Sequence, residues 1–324
     1  MADTNENTHG ALGTIAGFDY QISYFVLRLL TLKEGECVSL EKFEDVGSET
    51  DNLLTYYQLK HTVHGTEDKP VNMPLRDSDL WKTISVWIDI LSKEPDSANQ
   101  MKIIENSKFV LITNKKPMVN EFLDKVKLLK ENQMTETEMS DYIQTLYDES
   151  KDGKDEKGQP VETNKKKQIG TLKDFPLKIV FLKNLEIEFH TDETIKEQIV
   201  NELRFSKYIT DIGNANCACD FLCGAIFRKF KDSIQKNHPL EYNQKGFAEE
   251  FAPCFNRFKT QTFVPTNRNI DIPKEPLAQT FIKQLIDIDY LQETDKDLII
   301  SFSKDRLFFE NDYNNVKEHI DSTF

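Results

Sequence analysis

The chain has 324 residues, of which 38% are hydrophobic and 30% charged, and its formal net charge is −14. This length is ample for the core of one large or two smaller domains, and the composition excludes a disordered chain. No stretch approaches the ~18 apolar residues of a membrane span, and the polar first ten residues do not have the pattern of a secretory signal. The five cysteines show no disulfide spacing, so we expect a cytoplasmic protein.

The first elements are predicted from periodicity. Residues 1–10 are expected to be a disordered tail, and the apolar stripe over 17–32 predicts a helix with the 3.6-residue period. Alternation predicts strands at 37–43 and 53–61, and the intervening 47–52 has the composition of a turn. We therefore expect the two strands to form an antiparallel hairpin.

A helix capped by Asp77 is predicted to run to Leu91, and the continuously apolar 109–113 predicts a buried central strand. A capping box joins Thr135 and Glu138 at the start of a later helix. The other predicted elements are helices at 122–129, 191–203, 220–234 and 279–291, and strands at 177–182 and 185–189.

Charge runs and prolines suggest how the chain is divided. Residues 148–168 form a charged low-complexity segment that we expect to be a flexible surface loop. His238-Pro239 marks the predicted boundary between a domain at 1–235 and a region at 236–324. The expected fold is α/β, with a mixed sheet flanked by helices and a mostly helical C-terminal region.

Polar residues around the predicted hairpin form the strongest candidate site. Asp45 is expected to end the first strand, whereas Gln58 and Lys60 lie two apart on the second and point to the same face. Oxygen ligands of this kind suit Mg²⁺, and a nearby lysine can orient water or stabilise charge on a phosphate. Glu41 and Glu44 are close in sequence, and the register leaves open whether Glu44 or Asp45 faces a metal.

These motifs resemble a known family. The spacing resembles the motif of the PD-(D/E)XK nuclease superfamily: Asp45 is followed, after a gap of twelve residues, by Gln58-Leu59-Lys60. Gln58 stands where the superfamily more often has Asp or Glu, as in Mrr-like restriction nucleases. Gly17-Phe18-Asp19-Tyr20-Gln21, Glu44-Asp45-Val46 and Tyr57-Gln58-Leu59-Lys60-His61 look like the nuclease domain of bacterial antiphage effectors. That branch includes Cap-type double-stranded DNA endonucleases, Lamassu nuclease subunits and nucleases paired with HerA-type ATPases. The resemblance covers about 115 residues well and the next hundred loosely, and it implies a restriction-endonuclease-like core.

The resemblance implies roles for individual residues. Asp45 and Gln58 would be metal ligands, Lys60 the catalytic cation, and Glu41 a further ligand or a nearby acid. The metal would be Mg²⁺, or Mn²⁺. Asp45 is preferred to Glu44 because the branch places Asp before an apolar residue. Gln21 could reach the site from the leading helix, although an ordinary helix residue is the commoner case.

The implied function is cleavage of double-stranded DNA by the effector of a prokaryotic antiphage system. Nothing in the sequence resembles a ligand-sensing domain, so we expect control by a separate ATPase subunit, first an SMC-like Lamassu complex and second a HerA-like ATPase. Residues 236–324 would serve partner or self-association, and activity would accompany homo-oligomer formation. The chain has no P-loop, so it should not hydrolyse ATP itself.

Alternative interpretations remain for several features. The charge of −14 favours an inactive nuclease-like scaffold or adaptor, because DNA-binding proteins usually present a basic face. Cys217, Cys219 and Cys223 could bind zinc, but without a fourth ligand nearby they are better explained as buried thiols. His61 and His64 do not form a helical metal pair; His61 is expected beside the site or against DNA.

Overall fold

The computed structural model describes residues 6–63, 71–154, 159–259, 276–288 and 290–303. It divides into two compact units, 1–260 and 261–324. None of the described helices is long and apolar enough to cross a lipid bilayer.

The larger unit is built on a mixed six-stranded sheet with the order β7-β4-β3-β2-β1-β8. Strands β3, β4 and β7 are parallel, and β1 pairs antiparallel with both β2 and β8, as β2 does with β3. The expected α/β class with a mixed sheet is confirmed. The six strands are β1 (Cys37–Leu40), β2 (Val46–Glu49), β3 (Leu54–Lys60), β4 (Ser107–Thr113), β7 (Leu185–Phe189) and β8 (Leu240–Asn243).

Helices cover both faces of this sheet. One face packs against four helices through a core that includes Val38, Tyr57 and Leu59; these helices are α1 (Glu6–Leu30), α8 (Asp192–Phe205), α9 (Ile212–Gln235) and α10 (Gln244–Phe258). The other face packs around Phe109, Leu111 and their neighbours. Its helices are α2 (Ser78–Leu91), α3 (Ser97–Glu105), α4 (Glu121–Lys130), α5 (Glu136–Asp148), α6 (Asn164–Asp174) and α7 (Lys178–Lys183).

Several predicted elements are confirmed because their local signals agree with their burial. Asp77 caps α2 by accepting from the backbone N–H groups of Asp79 and Leu80. The helix ends at Leu91 as predicted, and it buries Leu80, Ile84, Trp87, Ile88 and Leu91. The capping box of Thr135 and Glu138 is present at the start of α5. Strand β4 is central, between β3 and β7, as its continuous apolar run predicts.

The predicted two-stranded hairpin is wrong in one respect: a further strand, β2, lies between its two strands. The turn-like composition of 47–52 concealed this strand. Gly47 and Ser48 are buried in the sheet, and a Cβ on Gly47 would lie 3.0 Å from both Phe43 Cδ2 and Ser39 Oγ. A glycine is therefore needed for close packing here and does not mark a turn.

Three other predictions were wrong at the level of elements. Helix α1 begins at Glu6, within the expected tail 1–10, because a helix once formed can extend through polar residues. The apolar run 177–182 forms part of helix α7 and not a strand; short apolar runs do not distinguish the two. The expected loop 148–168 contains a small hairpin of β5 (Gly153–Lys154) and β6 (Pro160–Val161) and the first turns of α6; residues 155–158 lie outside the described residues.

The boundary expected after residue 235 lies later, after residue 260. His238-Pro239 does interrupt the helices, but the chain then adds β8 to the free edge of β1. Helix α10 buries Phe247, Phe251 and Phe255 in the same core.

The smaller unit is described by itself. It contains a short 3-10 helix (Pro276–Ala278), α11 (Thr280–Asp287) and a helix over 296–303. A small apolar cluster of Ile282, Leu291 and Ile299 holds it together. The mainly helical region was predicted for 236–324, and within it residues 240–243 form strand β8 of the larger unit.

Candidate functional site

The candidate site lies where the bend between β1 and β2 meets the end of β3. The bend spans 41–45, and the backbone N–H of Glu41 donates to the carbonyl of Asp45 at 3.1 Å. Glu41 adopts a positive φ of 54°, which is unusual for a residue with a side chain. Asp45 thus lies just before β2. The prediction that it ends β1 was wrong, because β1 ends at Leu40.

Asp45 is the centre of this arrangement. The pairing of β2 with β3 ends at Val46 opposite Tyr57. Asp45, one residue before Val46, therefore lies beside Gln58 and Leu59, the next residues of β3. The backbone N–H of Leu59 donates to Asp45 Oδ2 at 2.7 Å, and Gln58 Nε2 donates to the same oxygen. Since both partners belong to β3, the orientation of the carboxylate is set by the sheet.

Gln21 of α1 is also hydrogen bonded to Asp45. From the sequence, an ordinary helix residue was the favoured interpretation of Gln21. In the structure its side chain reaches Asp45 from α1, on the other side of the sheet from Gln58 and Lys60. Burial raises the pKa of Asp45, and this effect is partly offset by the Leu59 N–H, the charge of Lys60 and the two glutamine side chains. Asp45 is therefore a half-buried carboxylate with several hydrogen-bond donors, and no described side chain forms an ion pair with it.

Glu44 and Glu41 add negative charge beside Asp45. The pKa of Glu44 is raised to about 7, first by burial and then by the charge of Asp45, while Lys60 acts in the opposite direction. Burial and the charge of Asp45 also raise the pKa of Glu41. Three carboxyl groups thus crowd one small region with Lys60 as a nearby cation, which is an environment that favours a bound cation.

Strand geometry places the remaining polar groups. Gln58 and Lys60 share the face that includes Phe109 in its core, and Leu59 enters the opposite core. The N–H and C=O of one strand residue point to the same neighbouring strand. Because the Leu59 N–H meets Asp45, its carbonyl faces the same edge and could serve as an oxygen ligand.

The site can be compared with the residues predicted for it. The predicted set Asp45, Gln58, Lys60 and Glu41 converges, and Glu44, left open from sequence, belongs to the same group. Among the described residues, no cluster of three His, Cys, Asp or Glu side chains has the arrangement of a metal site. A metal here would therefore need Gln58, the Leu59 carbonyl or water in addition to the carboxylates.

His61, His64 and three of the cysteines are the other residues singled out from the sequence. The His61 side chain is only 9% exposed, and its Nε2 lies within hydrogen-bond distance of Asp192 Oδ2, at 2.9 Å, so it joins the end of β3 to the start of α8. His64 lies outside the described residues. Cys219 is buried, Cys223 is half-buried and Cys217 is exposed, and no metal-ligand cluster includes them within the described part of the chain.

The carboxyl of Glu44 should make stability depend on pH. An unfolded glutamate titrates near 4.3, whereas burial raises the pKa of folded Glu44 to about 7. A carboxyl group whose pKa is higher in the folded than in the unfolded protein makes its full contribution to stability below the unfolded pKa. That contribution is lost as the pH rises through the folded pKa, which is about 7 for Glu44. In EDTA, we therefore expect Glu44→Gln to raise Tm at pH 8 and to change it little at pH 4.

The matched control for this melting experiment is Glu34→Gln, which changes an exposed glutamate. It should shift Tm equally little at both pH values. An equal shift of Glu44→Gln at pH 4 and pH 8 would contradict the burial of this carboxyl.

Comparisons with known proteins add little to this geometry. No family model matches the chain, and a search of curated proteins finds no match. Among solved structures, the Cap4 SAVED/CARF-domain containing receptor of Moraxella osloensis is 14% identical with a TM-score of 0.41. The Cap4 receptor of Acinetobacter baumannii with the cyclic trinucleotide 3'3'3'-cAAA is 14% identical with a TM-score of 0.42.

The alignments cover 75% and 74% of this chain but only 49% and 46% of those receptors. The chain therefore spans about half of their length. At this identity and TM-score, the likeness carries no argument about activity.

Proposed function

We propose that this chain is a metal-dependent endonuclease of the PD-(D/E)XK type that cuts double-stranded DNA. The observation that carries the proposal is the convergence of Gln58 and the Leu59 N–H on the Asp45 carboxylate. Lys60 lies close enough to affect the pKa of Asp45 and Glu44. Strand alternation places Gln58 and Lys60 on one face, and the resemblance of the sequence motif adds Asp45 and Glu41 to them.

The residues fit a divalent metal by their chemistry. Asp45, Gln58 and Glu41 were the predicted ligands, and Glu44 and the Leu59 carbonyl are further candidates. Burial first, and then the charge of Asp45, raise the pKa of Glu41 and Glu44, and a bound cation would offset both effects. Mg²⁺ accepts one or two carboxylates with other oxygen ligands and water. When bound, such a metal supplies Lewis-acid polarisation of the phosphate and a more acidic water.

The protein's own groups would position the reaction. The Leu59 N–H and Gln58 hold Asp45 in one orientation, and Gln21 supports it from α1. Lys60 would donate to the attacking water or to a phosphate oxygen and stabilise charge that develops there. A cation in this position contributes more when its surroundings are partly shielded from water, and Asp45 and Glu44 are both half-buried.

The biological setting is proposed from the resemblance of the motifs alone. The chain would be the effector of a prokaryotic antiphage system, controlled by an SMC-like Lamassu complex or, second, by a HerA-like ATPase. Its active form would be a homo-oligomer, since a double-strand cut needs two sites. Control by partners would also protect the host from an otherwise toxic nuclease.

A second candidate function is an inactive scaffold or adaptor with a nuclease-like fold. The net charge of −14 favours it, because an acidic chain repels DNA at long range. Under this alternative, the carboxyl cluster would have no catalytic part, and substitution of Lys60 would change no activity.

Supercoiled plasmid incubated with Mg²⁺ and the neighbour-encoded partner subunits separates the two functions. We expect the wild type to degrade the plasmid and Lys60→Ala to lose at least about 100-fold of that rate, because the group that stabilises the developing charge is gone. Lys33→Ala, at an exposed lysine away from the site, should cut like the wild type. If the wild type and Lys60→Ala cut equally, the site is wrong; if neither cuts, the scaffold function is favoured.

A further inference from the structure

A polar cleft of about 750 Å³ opens between the start of α2 and the segment that joins α5 to α6. Four basic side chains line it: Arg76, Lys82, Lys151 and Lys165. The other lining residues are mostly hydroxyl and amide side chains. The cleft is thus open, polar and built from three parts of the chain that come together only in the fold.

The charge of this cleft is opposite to that of the chain as a whole. Asp79 is its only acidic lining residue, and its carboxylate is already paired with Lys115 at 2.6 Å. Arg76 has a long contact to Glu149 at 3.7 Å. In the described ranges, Lys82, Lys151 and Lys165 take part in no ion pair. Positive charge is therefore concentrated here on a molecule with a net charge of −14.

The cleft and the candidate site both adjoin helix α2. Helix α2 carries Lys82 at the cleft and, five residues on, Trp87, whose indole lies beside the Glu44 carboxyl. Five residues of helix correspond to roughly 8 Å along its axis and about 1.4 turns around it, so Lys82 is exposed on the outer face of α2 while Trp87 is buried on the inner face. The start of α2 is also fixed, since Lys115 at the end of β4 pairs with both Asp77 and Asp79.

We propose that this cleft binds the phosphodiester backbone of the DNA beside the cutting site. The inference rests on the proposed function and adds the surface that holds the substrate. Arginine and lysine side chains bind phosphate oxygens without regard to base sequence. The first turns of α2 and α6, which also line the cleft, add a small favourable dipole. An acidic chain could in this way hold DNA through one basic region.

The test compares two double variants by fluorescence anisotropy with a labelled DNA duplex, in EDTA so that no cutting occurs. Lys82→Gln/Lys165→Gln removes two cleft charges. Lys93→Gln/Lys102→Gln removes two exposed lysines elsewhere that have no described ion pair. We expect the cleft variant to bind the duplex at least about tenfold more weakly than the wild type. The slope of log K, the association constant, against log salt concentration should also be shallower by about 2, since each lost phosphate contact changes it by about 0.9. The control variant should bind like the wild type.

A third variant, Lys82→Arg/Lys165→Arg, keeps the charges and should keep the affinity, which separates charge from misfolding. Equal binding by the cleft variant and the wild type, or no binding by the wild type at low salt, would overturn the proposal. Cutting assays on the same proteins keep the two proposals distinct. Binding through the cleft without any cutting refutes only the endonuclease, whereas cutting with an unimportant cleft refutes only this inference.

Discussion

Asp45→Asn should reduce plasmid cleavage by at least about 1,000-fold while the protein stays folded. The substitution keeps the shape of the side chain and an oxygen that can accept from the Leu59 N–H, but it removes the negative charge at the centre of the cluster. The substitution removes a proposed metal ligand, and it also removes the charge that orients neighbouring groups. Each of these losses should lower the cleavage rate by about 10²-fold or more. We expect this to be the largest effect of any single substitution on activity.

Stability should not follow activity in this variant. Burial raises the pKa of Asp45, so the folded protein disfavours the charged carboxylate. At pH 8 the carboxyl is charged in both the folded and the unfolded chain, and Asp45 then makes no favourable contribution to stability through its raised pKa. Asp45→Asn should therefore melt at the same or a higher temperature than the wild type at that pH. Asp51→Asn, in the exposed turn before β3, is the control. Cleavage by Asp45→Asn within about threefold of the wild type would contradict its central role.

Lys115→Ala should cause the largest loss of stability among the polar substitutions. Lys115 Nζ lies 2.7 Å from Asp77 and 2.6 Å from Asp79, and its side chain is only 6% exposed. Removing it leaves two carboxylates near one another without their cation. Breaking a buried ion pair in this way costs about 3–5 kcal/mol. The free energy of unfolding can be followed by tryptophan fluorescence in urea, since both tryptophans lie in α2.

The design has two controls. Lys116→Ala changes the next, exposed lysine and should alter the free energy of unfolding by no more than about 0.5 kcal/mol. Lys115→Met with Asp77→Asn and Asp79→Asn removes all three charges and should recover much of the loss, because an asparagine in place of Asp77 can still cap α2. A loss below about 1 kcal/mol for Lys115→Ala would show that this ion pair does not hold α2 to β4.

Local signals explain the parts of the fold that could be predicted. Helix α2 has both a capping aspartate and a regular apolar stripe, and strand β4 has an apolar run in the centre of the sheet. Strand β2 could not be predicted, because Gly47 and Ser48 have turn-like composition and their burial depends on Phe43 and Ser39. The pairing of β8 with β1 is a similar case, because it links residues about 200 apart, and no local signal predicts such a contact.

The site shows the same division between local and long-range information. Alternation along β3 was sufficient to place Gln58 and Lys60 on one face, whereas the register left Glu44 and Asp45 open, and the family resemblance selected Asp45. The hydrogen bond from Gln21 joins α1 to the bend, and no periodicity predicts such a contact. Net charge conceals the basic cleft, because its basic residues are dispersed from 76 to 165 in sequence.

The metal dependence of cleavage tests the central claim most directly. Supercoiled plasmid is incubated with the wild-type chain and its neighbour-encoded partners, in Mg²⁺ or in EDTA, and the plasmid forms are separated on a gel. We predict conversion to linear and shorter DNA in Mg²⁺ and intact plasmid in EDTA. Intact plasmid in both conditions, or equal cutting in both, would contradict a metal-dependent endonuclease built on Asp45, Gln58 and Lys60.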